Sequence, residues 1–144
     1  MKLTLYTDGG ARGNPGPAGA GGVVIDDSGN RVLDFSEFLG ERTNNWAEYQ
    51  AVILGLKGLK RKYGNKTKDT QLEVRLDSQL VQRQLSREYQ IKEESLFSQF
   101  IAVHNLIISS FPNISFTHVP RGENNIADGL ANEAMDKGGG GLFS

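Results

Sequence analysis

Apolar and polar positions along the chain switch period several times, and each switch marks an element. From Lys2 to Asp8 they alternate, with Leu3 and Leu5 on one face and Thr4 and Tyr6 on the other, which predicts a strand. Gly9 to Gly22 holds seven glycines and two prolines, and reads as a long turn. Ala20 to Asp26 resumes as a strand, Asp27-Ser28-Gly29-Asn30 makes a hairpin turn, and Arg31 to Leu39 returns. Over Thr43 to Tyr63 the period lengthens. Ala47, Ala51, Leu54 and Leu59 mark one helical face, and Trp46, Tyr49, Ile53 and Leu56 a second, so this helix is expected between layers, ended by Gly64. Asn65 to Thr70 reads as a polar loop. Leu72, Val74 and Leu76 define a fourth strand, and a short helix starts near Ser78. A further helix over Glu93 to Ser109 places Leu96, Phe100, Val103 and Ile107 on one face. Ile114 to Val119 is a fifth strand and Asn125 to Lys137 a last helix, ended by Gly138 to Gly141 and followed by Leu142-Phe143-Ser144.

A meander followed by helix-separated strands implies a mixed α/β sheet, antiparallel first and parallel later, with helices on its faces. In such sheets the ligand site lies beyond the carboxyl ends of the parallel strands. Composition narrows the chemistry. The 144 residues suit one domain, 38% apolar and 23% charged, with no internal repeat. No run of eighteen apolar residues suggests a membrane span, and Met1-Lys2-Leu3-Thr4 leads into a strand rather than a signal peptide. The absence of cysteine excludes disulfides and thiolate zinc, and fits a cytoplasmic protein. His104 and His118 are too few for a multi-histidine site, so a metal would need oxygen ligands, which points to Mg²⁺ or Mn²⁺. A formal net charge of −1 excludes bulk attraction to nucleic acid; binding would need local geometry and a few placed cations.

Four acids stand at the expected carboxyl end of the sheet. Asp8 closes the first strand and Asp77 the fourth; Glu48 is expected in the first turn of the long helix, and Asp128 in that of the last. Each also has a simpler role. Asp77 could cap the short helix, Asn45-Trp46-Ala47-Glu48 has capping-box spacing, Asp128 suits a helix N-terminus, and Asp8 could serve the glycine turn. Together they would repel unless cations sat among them, and two divalent ions about 3.5–4 Å apart would suit phosphodiester hydrolysis.

Four ordered blocks carry a resemblance. Tyr6-Thr7-Asp8-Gly9-Gly10 with Gly13-Asn14-Pro15-Gly16, Thr43-Asn44-Asn45-Trp46-Ala47-Glu48, Leu76-Asp77-Ser78-Gln79-Leu80-Val81, and His118-Val119-Pro120-Arg121 with Asn124 and Ala127-Asp128 resemble type 1 ribonuclease H. The resemblance covers Leu3 to about Asp136, so residues 1–137 are expected to form the ribonuclease H domain and 138–144 a glycine-rich tail. It implies a five-stranded sheet in order 3-2-1-4-5 and two-metal cleavage of the RNA strand of RNA–DNA hybrids. The products would carry 5′-phosphate and 3′-hydroxyl ends. Asp8, Glu48, Asp77 and Asp128 would bind two Mg²⁺, with Mn²⁺ as a substitute.

RNA-containing duplexes offer 2′-hydroxyls in a wide, shallow minor groove. Gly9, Gly10, Asn14, Asn44, Asn45 and Gln79 are bare amides or short polar groups near the acids; as turn and cap residues, half of them need no ligand. By resemblance, the three asparagines and Gln79 touch the minor groove, and Thr43 belongs to a pocket for a DNA phosphate. Two departures stand out. Ser86 to Lys92 runs almost directly into the next helix where many family members carry a basic, tryptophan-bearing protrusion, leaving Arg83, Arg87 and Lys92 as candidate duplex contacts. The loop before Asp128 is short, and Arg121 stands where many relatives place a histidine; it is either a phosphate contact or a solvent-facing cation. His118, with apolar strand neighbours, reads as structural. The basic run from Lys57 to Lys68 complements the dipole at the far end of the long helix. Double-stranded RNA is a second candidate substrate. A silent hybrid-binding module is the alternative, opposed by the presence of all four acids. No polymerase sequence precedes Met1, so a reverse-transcriptase portion is not expected. A monomer is.

Overall fold

A computed structural model describes residues 1–140. Strands β1 (Lys2–Ala11), β2 (Gly16–Asp26) and β3 (Arg31–Arg42) form an antiparallel meander. β4 (Gln71–Leu76) pairs parallel with β1, and β5 (Ile114–His118) parallel with β4, giving the order 3-2-1-4-5. The expected mixed sheet is the observed one. Helices α1 (Asn44–Tyr63), α2 (Gln79–Leu85) and α3 (Phe97–Ser110) gather over the face carrying Leu3, Leu5, Val74 and Leu76, where the main core forms. Helix α4 (Asn125–Met135) packs on the other face, against β2 and its neighbours. No helix among the described residues is long and apolar enough to cross a membrane.

The predicted long turn after Asp8 is mostly sheet. β1 continues to Ala11 and β2 begins at Gly16, leaving only residues 12–15 as the turn. Most of these glycines do not supply positive φ; Gly13 does, at 107°. Several instead let backbones meet. A Cβ on Gly21 would stand 2.5 Å from the Ala131 amide nitrogen, and one on Gly19 would stand 2.6 Å from the Ala131 carbonyl oxygen. The bare strand is what lets α4 settle onto the sheet.

Thr43 caps α1, its Oγ1 accepting from the Trp46 amide at 3.3 Å, and Gly64 (φ 58°) ends the helix as expected. The cap corrects one expectation: Asn45 and Glu48 form no capping box, and Glu48 falls in the second turn rather than the first. Nor is the segment after Gly64 a loop. Gly64–Asp69 forms a 3₁₀-helix in which the Thr67 and Thr70 hydroxyls donate to the carbonyls of Gly64 and Lys66. At the other end, regular α4 stops at Met135, and a π-helical turn over Asp136–Gly140 carries the winding past Lys137, where the sequence pattern ended it. Gly138 lies against the Phe38 ring, leaving no room for a side chain. The expectation that Leu142 and Phe143 fold back lies outside the described residues.

A candidate metal-binding active site

Parallel pairing of β1 with β4 sets Thr7 opposite Leu76, so the next residues, Asp8 within β1 and Asp77 just past β4, stand side by side. Glu48 reaches them from α1. Gly9 makes this possible, because its Cα lies directly under the Ala47 carbonyl, where any Cβ would collide. One carboxylate oxygen from each of Asp8, Glu48 and Asp77 falls within 4.8 Å of the others. Asp128, in the first turn of α4, stands outside that tight group but is near enough to raise the Asp8 pKa. Ser78 caps α2 through its Oγ, which frees Asp77 from the capping role it could have had.

The cluster is dry as well as crowded. Asp8 is 9% exposed and Glu48 7%. Burial first, then the charge of Asp77 and the nearby Asp128 carboxyl, push the Asp8 carboxyl up to about 7 from its ordinary 3.8, against a lowering by Glu48. Burial, followed by the charges of Asp8 and Asp77, also raises Glu48 well above the usual carboxylate range, against the lowering effect of the Gly9 amide. Glu48 Oε2 is buried with no hydrogen-bond partner. An orphaned carboxyl oxygen facing two more carboxyl groups marks a site short of positive charge. A donor set made only of oxygen fits a hard divalent cation.

The cluster's place in a 3-2-1-4-5 sheet can now be compared with known proteins. A family model described as reverse transcriptase-like matches residues 6–134. A ribonuclease H1 isolated from compost is 47% identical, with a TM-score of 0.90 over 94% of this chain and 96% of that one. The chain belongs to the ribonuclease H family. The compost enzyme has also been crystallised in complex with RNA/DNA hybrid. Ribonuclease HI of Halobacterium salinarum is 40% identical over 94% of this chain and 65% of its own length, and its crystal structure superposes with a TM-score of 0.87. A bifunctional protein of Mycobacterium tuberculosis is 40% identical, and there the match spans 36% of the protein. The chain thus spans between about a third and two thirds of these two curated relatives.

The other expected site residues fall around this ribonuclease H cluster. Asn14 Oδ1 accepts from the Asn44 amide at 3.0 Å, and Asn44 Oδ1 from the Ala11 amide at 2.7 Å, tying the β1–β2 turn to the start of α1. Part of their work is therefore the turn-and-cap role that needs no ligand. Asn45, half-buried, lies three residues before Glu48 on α1; Gln79 is exposed at the start of α2. Gly10 is half-buried beyond Asp8, and Gly9 is spent on the contact with α1. Arg121 opens an exposed 3₁₀ turn (Arg121–Glu123) and makes no ion pair among the described residues. Two of the three candidate duplex cations are occupied. Arg83 pairs with Glu88 at 3.7 Å and lies over Tyr89, while Arg87, held at φ 64°, meets His104 Nδ1 at 3.0 Å. His118 is exposed at the end of β5 beside Leu76, not enclosed by apolar neighbours as its sequence context suggested.

Sequence reasoning gave Asn124 no role of its own. It is 1% exposed, and its Nδ2 donates to the Thr7 carbonyl at 2.8 Å and to Asp77 Oδ2 at 3.4 Å. One side chain thus ties the end of β1 to the Asp77 carboxylate, which fixes two ligand positions together. Its signal in the sequence was an amide immediately before a helix, indistinguishable from an ordinary cap.

Proposed function

We propose that this chain is a metal-dependent endoribonuclease that hydrolyses the RNA strand of RNA–DNA hybrids, leaving 5′-phosphate and 3′-hydroxyl ends. The observation that carries the reading is the group of buried Asp8 and Glu48 with half-buried Asp77, and its unpartnered Glu48 oxygen, at the carboxyl end of two parallel strands. The hybrid-bound compost relative supports the substrate.

Asp8, Glu48, Asp77 and Asp128 would hold two Mg²⁺ ions, or Mn²⁺ in their place. Ions held there would supply charge to activate a water and to stabilise the leaving 3′ oxygen. The chain's own groups do the rest. Asn124 keeps Asp77 aimed, and Asp8 and Glu48, whose carboxyls burial pushes up, would give up any proton they hold as cations enter. Asn14, Asn44, Asn45 and Gln79 meet the minor groove, with the backbone of Gly9 and Gly10 beside them, and Thr43 meets a DNA phosphate. Arg121, with its guanidinium unpaired, contacts the scissile or departing phosphate as a bidentate donor. Residues 1–137 make up the catalytic domain. A monomer suffices, because one chain supplies all four acids.

The test is strand-specific. RNA end-labelled within a hybrid, within double-stranded RNA and alone is incubated with Mg²⁺ or with EDTA. Cleavage of the hybrid's RNA strand, dependent on Mg²⁺ and leaving 5′-phosphates, is expected. Tight hybrid binding without any cleavage would establish the silent binding module instead, and equal cutting of double-stranded RNA would widen the substrate class.

A further inference from the structure

Three asparagines beside the carboxylates have amide orientations dictated by their partners. A backbone N–H only donates, so Asn14 and Asn44 commit their oxygens to the Asn44 and Ala11 amides. Each is left with Nδ2, a donor, as its free group. Asn45 is the reverse. Its partner is the Glu93 carboxylate, 3.1 Å away, and a carboxylate accepts, so the committed atom is Nδ2. No donor among the described residues reaches Oδ1, so the free group of Asn45 is an acceptor. The short link after α2 delivers Glu93 to this place: α2 ends at Leu85, and Glu93 already precedes the 3₁₀ turn Glu94–Leu96, which packs against α1. The Glu93 charge also reaches Tyr49 on α1, where, second to burial, it raises the phenol pKa.

We propose that Glu93 is a positioning residue that decides what Asn45 reads: by holding Nδ2 it presents Oδ1 to the duplex, so that Asn45 selects a hydrogen-bond donor in the minor groove. The inference rests on Asn45 being a substrate contact. Base edges in a minor groove are mainly acceptors, purine N3 and pyrimidine O2, and these suit Asn14 and Asn44. Two donors are present there, the 2-amino group of guanine and the ribose 2′-hydroxyl. Asn45 is the member of the set with the polarity to take either. Without Glu93 its amide is free to flip and accept both kinds of edge, and the selection disappears.

The experiment measures hybrid affinity in EDTA for the wild type, Glu93→Ala and Glu93→Gln. Single inosine substitutions, which remove the 2-amino group, and single 2′-fluoro substitutions, which remove the hydroxyl donor, are scanned across the duplex. At one position the wild type should lose about fivefold to tenfold in affinity, the scale of one hydrogen bond. Glu93→Ala should lose a similar factor on the unmodified hybrid and nothing more at that position. Glu93→Gln, which keeps an acceptor oxygen, should follow the wild type. Which scan shows the loss identifies the donor. A Glu93→Ala protein as sensitive to the substitutions as the wild type overturns the inference, as does a wild type indifferent to both scans or unable to bind hybrid. Because no cleavage is read, a wild type that binds hybrid but leaves it intact in Mg²⁺ sinks the catalytic reading alone.

Discussion

A carboxyl group withdrawn from water beside two others keeps its proton far above the usual range, and Asp8 does so up to about 7. The unfolded chain releases that proton near 3.8, so between the two values the folded state binds more protons and loses stability as pH rises. Glu48 shifts in the same direction. In EDTA the melting temperature should therefore fall between about pH 4 and about pH 7. Asp8→Asn should flatten the fall, and Mg²⁺ should restore stability most at the higher pH; calorimetry at several pH values checks all three. Arg121 supplies a second prediction at this scale. If its free guanidinium serves a phosphate, Arg121→Ala lowers turnover by roughly ten- to a hundredfold, the kinetic equivalent of a charge-assisted contact of about 1.5–3 kcal/mol. Divalent-ion affinity, read by titration calorimetry, should stay the same. Unchanged turnover would return Arg121 to the surface.

Elements place these side chains, and β1 against α1 is the decisive contact. Gly9→Ala would drive a methyl into the Ala47 carbonyl and force α1, with Glu48, away from Asp8. A loss of about 1–3 kcal/mol in stability is expected, the usual scale of overpacking, together with loss of metal affinity. A wild-type melting curve and ion titration would contradict it. The sequence made elements legible wherever hydrophobic period spoke: Leu3 and Leu5, or Leu72, Val74 and Leu76, announce their strands. It misled where glycine stood for close approach rather than for turning, so Gly9, Gly19 and Gly21 hid the ends of β1 and β2. Asp8, Glu48 and Asp77 were legible because each follows closely on a strand pattern or a helix start. Asn124 was not, because its work is a tertiary bond to Thr7 and Asp77 that no local pattern encodes.

Across the whole molecule, α4 and the π-helical turn after it join the site at Asp128 to the far edge of the sheet, where Gly138 meets Phe38. Deletion from Gly138 onward should uncover that ring and lower the melting temperature by a few degrees, while Mg²⁺ affinity persists. An identical melting curve would show the contact to be idle. Every proposed catalytic step turns on the acid cluster. Its most direct test is Mg²⁺-dependent cleavage of a labelled RNA–DNA hybrid by the wild type beside Asp77→Asn, with hybrid binding and circular dichroism measured on both. The variant is expected to fold and bind hybrid but not to cut it, if the cluster is catalytic. Cleavage by Asp77→Asn near the wild-type rate would contradict that role.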